Sequence, residues 1–285
     1  MNKKENRTLL KQTISEINKK YKLSVINFAD AQKEWEKIPT GVKSIDEMLG
    51  GGIAQGHFSV VWGSPGCGKT SLAYSLVAEA QKLNKMVYYI ALEPFNRKRA
   101  SEVFGIDLKN LLIGKFPVAE QSLDSIIEFS RKKLVDVIIL DSIHSLSPKS
   151  EQIDKKGNKS VDNDSMALLA RKLSQFFRMS LDPIERANIA VLLIGQTRTS
   201  LGFISLDKLS GGNALKHSSV LTLHMRRGQK SDAPREKIKK EGKTTTEING
   251  FDCVLQIDKT QTPNTEHELT RIHIPYYFKT GFKND

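Results

Sequence analysis

Between an apolar run, "HFSVVWG", and a helix-like run, "SLAYSLVAEAQKL", the chain carries Gly63-Ser64-Pro65-Gly66-Cys67-Gly68-Lys69-Thr70, followed by Ser71. The eight residues satisfy G-x-x-x-x-G-K-[ST] at every fixed position, with a strand before and a helix after, as the motif requires. Gly63, Gly66 and Gly68 let the backbone curl so that successive N–H groups face phosphate oxygens. The helix that starts there adds the positive end of its dipole. Lys69 is expected to reach the β- and γ-phosphates of a nucleotide and Thr70 to ligate Mg²⁺. Ser64, Pro65, Cys67 and Ser71 complete the loop, Cys67 as a spacer whose side chain points away.

Three further residues suit chemistry on a phosphate. Asp141 closes "VDVIILD", the position for a second metal-side group. Glu93 follows "MVYYIAL" and Gln196 follows "IAVLLIG", so both project from the C-terminal edge of a sheet, where ligands bind in open α/β folds. Glu93 is suited to orient or deprotonate an attacking water. Gln196 can donate to phosphate and accept from water through one amide, which suits a sensor.

The elements that must position these groups are legible as apolar runs at 57–63, 86–92, 135–141 and 189–195, with helix-like segments between the first three. Continuous apolar strands alternating with helices argue for an α/β fold with a parallel sheet covered on both faces. "SSVLTLHMRR", "GFDCVLQIDKTQ" and "LTRIHIPYYF" have no helices between them and read as a β-meander extending that sheet. Among them lies Arg226–Lys243, with eight Lys/Arg against three acids, expected as a solvated loop or, in the sharper reading, a second DNA-contacting surface. Near the N-terminus, Leu10, Ile14 and Ile17 form the stripe of an amphipathic helix from residue 5 to about 20. A short helix alone is marginal in water, so it must dock on its own core or on a neighbouring subunit.

Composition narrows the class. Over 285 residues, 39% hydrophobic and 27% charged are ordinary globular values. The balance of 44 Lys+Arg against 32 Asp+Glu gives +12, which supports a polyanionic partner, most simply nucleic acid. No apolar run approaches the ~20 residues that span a bilayer, and the N-terminus lacks a signal-peptide core. The two cysteines, Cys67 and Cys253, form neither a metal-spaced pair nor a disulfide framework. A cytoplasmic protein with no membrane partner is expected.

Several stretches, in order and nearly collinear from about residue 5 to 280, resemble the RecA recombinase family. "TGVKSIDEMLGGGIAQGHFSVVWGSPGCGKTSL" is similar to the entry into its ATPase core, and "VDVIILDSIHSLSPKSE" to its second metal motif. "MALLARKLSQFFR" resembles the helix after its first DNA-binding loop, and "LIGQTR…SGGNALKHSS" its second loop and exit. The resemblance implies a RecA-like P-loop core at 39–285, preceded by a helix and linker at 1–38 that docks on the adjacent subunit; as a departure from bacterial members, no C-terminal regulatory domain is expected. It implies ATP and Mg²⁺, with Lys69 and Thr70 on phosphate and metal, Asp141 on the metal, Glu93 as base and Gln196 as sensor. It also implies single-stranded and homologous double-stranded DNA as partners, a helical filament, and single-strand-binding or loader proteins nearby. Arg171, Ser174 and Arg178 match DNA-contacting positions. The first loop falls at about 150–165, and Arg198, Gly211, Gly212 and Asn213 belong to the second. The greasy residues within that loop, Leu201, Phe203, Ile204 and Leu206, then read as wedges between bases, Phe203 or Ile204 foremost.

The departures from the family pattern carry their own expectations. Of two lysines that reach the γ-phosphate across the family's subunit interface, this chain offers Lys259 but has Ile257 at the other place. The adenine-stacking tyrosine falls on Ala100 and its nearby acid on Arg97, so base contacts must differ. At the interface Lys216 is joined by His217, where the family often has Phe. These differences keep open a recombinase-like paralogue, acting as mediator or annealing helper. A hexameric helicase with the same core is disfavoured by the "GGNALKHSS" exit, and a compact, bacteriophage-type version is the nearest match in kind.

Overall fold

Apolar, β-branched runs bury both faces of a strand only if helices cover both sides, and the chain folds accordingly. The computed structural model describes residues 3–21, 26, 34–149, 166–199, 207–209, 212–240 and 243–283. It divides into two units, Met1–Trp35 and Glu36–Asp285. The first contains α1 (Lys3–Tyr21), whose Leu9 and Leu10 are exposed while Ile14 and Ile17 are partly covered.

The second unit runs β1 (Lys37–Ile38), α2 (Lys43–Met48), β2 (Ile53–Ala54), β3 (Phe58–Gly63), α3 (Lys69–Lys82), β4 (Val87–Ala91) and α4 (Arg97–Glu102). Next come β5 (Leu111–Gly114), α5 (Ala119–Lys132), β6 (Val137–Asp141), α6 (Met166–Ala187), β7 (Ala190–Thr199), β8 (Asp207–Leu209) and α7 (Gly212–Ser218). The chain finishes with β9 (Ser219–Arg227), β10 (Arg235–Lys240), β11 (Lys243–Ile248), β12 (Gly250–Thr260), β13 (Arg271–Tyr277) and β14 (Gly281–Phe282).

The main sheet has the order β14-β13-β12-β9-β3-β7-β6-β4-β5, with β8 on β7. From β9 to β5 every pairing is parallel. From β9 through β12 and β13 to β14 it is antiparallel, which is the expected meander. Register places the site. Gly63 is opposite Gln196 on one side and Met225 on the other, and Asp141 is opposite Ala91 and Ile194. The ends of β3, β4 and β6 and the end of the parallel-paired part of β7 therefore meet at one edge of the sheet. Behind them Phe58 is edge-on to Phe177 of α6 at 5.0 Å, within a cluster that also takes in Ile126 of α5. Burying each such side chain contributes about 1.5–3 kcal/mol.

Three local expectations change. Arg226–Lys243 is not a plain loop: β10 and β11 pair as an antiparallel ribbon, Arg235 opposite Ile248 and Lys240 opposite Lys243. The run of Thr244, Thr245 and Thr246 supplies β-branched residues that favour a strand despite the charge around them. The segment after Gly195 is not irregular throughout either. β7 continues to Thr199 and pairs with β8, Thr197 opposite Leu209, and α7 begins at Gly212. Finally, β5 adds an edge strand that four residues, "LLIG", are too few to announce.

Candidate nucleotide site

The Gly63–Thr70 loop turns between β3 and α3 on glycines that nothing larger could replace. A Cβ on Gly63 would collide with the Met225 carbonyl, and Gly68, preceding α3, has φ +105°. Lys69 is buried, and its Nζ donates to the carbonyls of Gly63 at 2.9 Å and Ser64 at 2.8 Å. Cys67 is fully buried, as a spacer should be, and burial pushes its thiol up. Its carbonyl accepts from the Cys253 thiol of β12 at 3.5 Å, so the meander braces the loop from behind.

At the end of β6, Asp141 Oδ2 accepts from Thr70 Oγ1 at 3.0 Å and from Tyr89 OH at 2.6 Å. Burial raises the Asp141 carboxyl above the usual carboxylate range. The Tyr89 hydrogen bond opposes that rise and the nearby Glu93 charge adds to it. The other oxygen, Oδ1, is buried with no hydrogen-bond partner. A hydroxyl and a carboxylate are hard donors that fit Mg²⁺, which takes one or two protein ligands and keeps waters and phosphate for the rest. Thr70 and Asp141 are the residues that would hold it, and the orphaned Oδ1 is the atom it would satisfy. Among the described residues there is no cluster of three or more His, Cys, Asp or Glu for any other metal.

Glu93 lies beside this pair. Its Oε1 accepts from Ser142 Oγ at 2.5 Å and from Gln196 Nε2 at 2.8 Å. The three strand ends thus bring together a carboxylate able to take a proton, an amide that holds it, and the hydroxyl after Asp141. Lys69, Thr70, Ser71, Glu93, Asp141 and Gln196 all line one cleft of about 430 Å³.

The opposite wall of that cleft was not foreseen. It is made by Arg99 of α4, Arg227 at the end of β9, and Phe251, Tyr276 and Phe278 of the meander. Phe251 and Tyr276 stack at 4.6 Å, and Arg227 lies over Phe251 at 4.5 Å while its Nε donates to the Gly66 carbonyl at 2.9 Å. Ser71 Oγ is 2.6 Å from the Tyr276 hydroxyl. Ala100, at the position of the family's stacking ring, is fully buried, and Arg97 is exposed. No local motif joins these five wall residues. The alternating aromatics of "IPYYF" were the one available signal.

The remaining candidates lie elsewhere. Arg171, Ser174 and Arg178 share one face of α6, Arg178 donating to Ser174 Oγ at 3.3 Å, opposite the buried Leu173, Phe176 and Phe177. Lys259 does not line the cleft of its own chain. Its Nζ donates to the carbonyls of Lys216 at 2.8 Å, His217 at 3.4 Å and Ser219 at 2.5 Å, which close the C-terminal end of α7. Ile257 is fully buried. Lys216 and His217 are exposed. Arg198 lies in β7 and Gly212 and Asn213 open α7, while Phe203, Ile204, Gly211 and the first loop at 150–165 lie outside the described residues.

A P-loop and an acid at strand ends of one parallel sheet are common to many nucleotide-binding folds, so kinship must decide between them. The family model described as the RecA N-terminal domain matches residues 8–256. The chain belongs to the RecA family. Among curated members, Protein RecA of Nautilia profundicola is 33% identical over 224 residues, covering 76% of this chain and 63% of that protein. Protein RecA of Methylococcus capsulatus is 33% identical over 227 residues, covering 78% and 64%. Protein RecA of Roseiflexus castenholzii is 32% identical over 252 residues, covering 82% and 69%. The chain thus spans less than two thirds of the length of the first two. In this RecA family member, no described helix is long and apolar enough to cross a membrane.

Proposed function

We propose that this chain is a DNA-dependent ATPase of homologous recombination, which assembles as a filament on single-stranded DNA and pairs it with a homologous duplex. The observation that carries the reading is the 2.8 Å hydrogen bond from Gln196 to Glu93. Gln196 belongs at once to the phosphate end of the cleft and to the strand that leads through β8 to α7. A group that answers to the γ-phosphate there can reset the segment that follows, and that is the physical requirement for nucleotide-controlled DNA binding.

In this reading the loop N–H groups and Lys69 bind the triphosphate, and Thr70 and Asp141 hold Mg²⁺, which supplies charge neutralisation at the phosphates when bound. Glu93 orients water and takes its proton. Gln196 holds Glu93 in place. Arg171, Ser174, Arg178 and Arg198 contact DNA together with the two loops, and Phe203 or Ile204 separates bases. The stripe of α1 docks on the adjacent copy, Lys259 faces the neighbouring copy's nucleotide, and Lys216 and His217 lie at the interface. The test is ATP-dependent D-loop formation, with electron microscopy of single-stranded DNA complexes with and without a non-hydrolysable ATP analogue. Extended filaments without any joint-molecule formation would favour the second reading, a mediator or annealing helper. One observation supports that alternative: Ile257 is buried in the core and Lys259 is tied to three backbone carbonyls, which leaves the trans cation set reduced.

A further inference from the structure

The cleft has two chemically different ends. One carries the loop N–H groups, Lys69, Thr70 and Asp141, all suited to phosphate and metal. The same cleft is also lined by Tyr276, which is hydrogen-bonded to Ser71, and by Phe278 and Arg99. A nucleotide seated by its phosphates must therefore lay its base against this aromatic end, where ring faces offer stacking to any base. The charged side chain among these residues is a pure donor. Arg99 is fixed by two bonds, Nη1 to the Phe278 carbonyl at 2.8 Å and Nη2 to the Tyr276 hydroxyl at 2.5 Å. A guanidinium has five N–H donors and no acceptor, so it has donors to spare and nothing to offer an amino group. Among the described residues, the only carboxylates lining the cleft, Glu93 and Asp141, are engaged at the far end.

We infer that Arg99 makes this subsite take 6-oxopurine nucleoside triphosphates at least as well as ATP. Guanine and hypoxanthine present O6 and N7 side by side as acceptors, the pattern an arginine fork matches with two hydrogen bonds. Adenine presents N7 but sets an N6 amino donor beside it, so it keeps one bond and meets a donor with the other. The inference rests on the nucleotide reading of the cleft and extends its substrate class.

The experiment is calorimetric titration of the full chain, with Mg²⁺, against ATP, GTP, ITP and inorganic tripolyphosphate. GTP and ITP are expected to bind as tightly as ATP or more tightly. Arg99→Leu, which removes two hydrogen bonds from a 6-oxopurine and one from adenine, should weaken GTP and ITP about tenfold more than it weakens ATP and leave tripolyphosphate unchanged. Arg99→Lys, which keeps the charge and loses the fork, should show the same selective loss. A wild-type preference for ATP of tenfold or more, or an Arg99→Leu effect equal on all three nucleotides, overturns the inference while tripolyphosphate binding upholds the site. Failure of tripolyphosphate itself to bind overturns the nucleotide reading and the inference with it.

Discussion

Replacing Gln196 by Ala removes the amide that donates to Glu93 at 2.8 Å and little else, because the residue is only partly buried where the parallel pairing of β7 with β3 ends. A hydrogen bond to a charged group is worth about 1.5–3 kcal/mol. That range is an upper bound on what this bond can transmit from nucleotide to DNA, and at 1.4 kcal/mol per decade it corresponds to a factor of roughly 10 to 150. Fluorescence anisotropy with a labelled oligothymidylate, with and without a non-hydrolysable ATP analogue, measures the coupling as a ratio of dissociation constants. In the native chain the ratio should fall within that range. In Gln196→Ala it should approach unity, while nucleotide binding through Lys69 persists. If ATP tightened DNA binding by the same factor in the variant, Gln196 would not be the route, and the argument from its position in β7 would fail.

Three other outcomes follow from the same geometry. Glu93→Gln keeps an acceptor for Ser142 and Gln196 but cannot take a proton, so kcat should fall about 10²–10⁴-fold with nucleotide affinity kept, as read by steady-state and binding assays. Asp141→Asn should abolish Mg²⁺-dependent hydrolysis yet raise the thermal midpoint. The sign comes from burial: the folded carboxyl has a raised pKa, so the unfolded carboxyl ionises first and stability falls as pH rises from the ordinary carboxylate range through that raised pKa. The variant should be free of that fall, and a melting series against pH decides it. Replacing Arg171 and Arg178 by Ala should lower the salt slope of single-strand binding by about 0.7 for each phosphate no longer neutralised; an unchanged slope would take α6 out of the DNA surface.

What could be read from the sequence was whatever depends on neighbours along the chain. The Gly63–Thr70 loop needs its glycines, Lys69 and Thr70 within eight consecutive residues, so its chemistry is written locally. Asp141, Glu93 and Gln196 were legible because each follows an apolar strand, and parallel register alone then aligns strand ends. The wall of Arg99, Arg227, Phe251, Tyr276 and Phe278 was not, since it is gathered from four separate segments and each residue looks ordinary in its own. The β10–β11 ribbon was hidden by its charge, because periodicity reads hydrophobic alternation and this pair has little. The tail of β7 was hidden for the same reason: Gln196–Thr199 is polar, and its partner β8 is only three residues long.

The meander behind the P-loop also fixes when the site can come into being. Ser71 is tied to Tyr276 across 205 positions, Arg99 to Phe278 across 179, and Cys67 to Cys253 across 186. Pairings so distant in sequence form only after long loops close, and such topologies fold slowly. A ribosome-bound chain that had emerged through β7 would carry every residue of the phosphate motif and, of the wall, Arg99 alone. If the cleft takes a nucleotide as proposed, its full affinity would be reached only once the last strands have been made and docked.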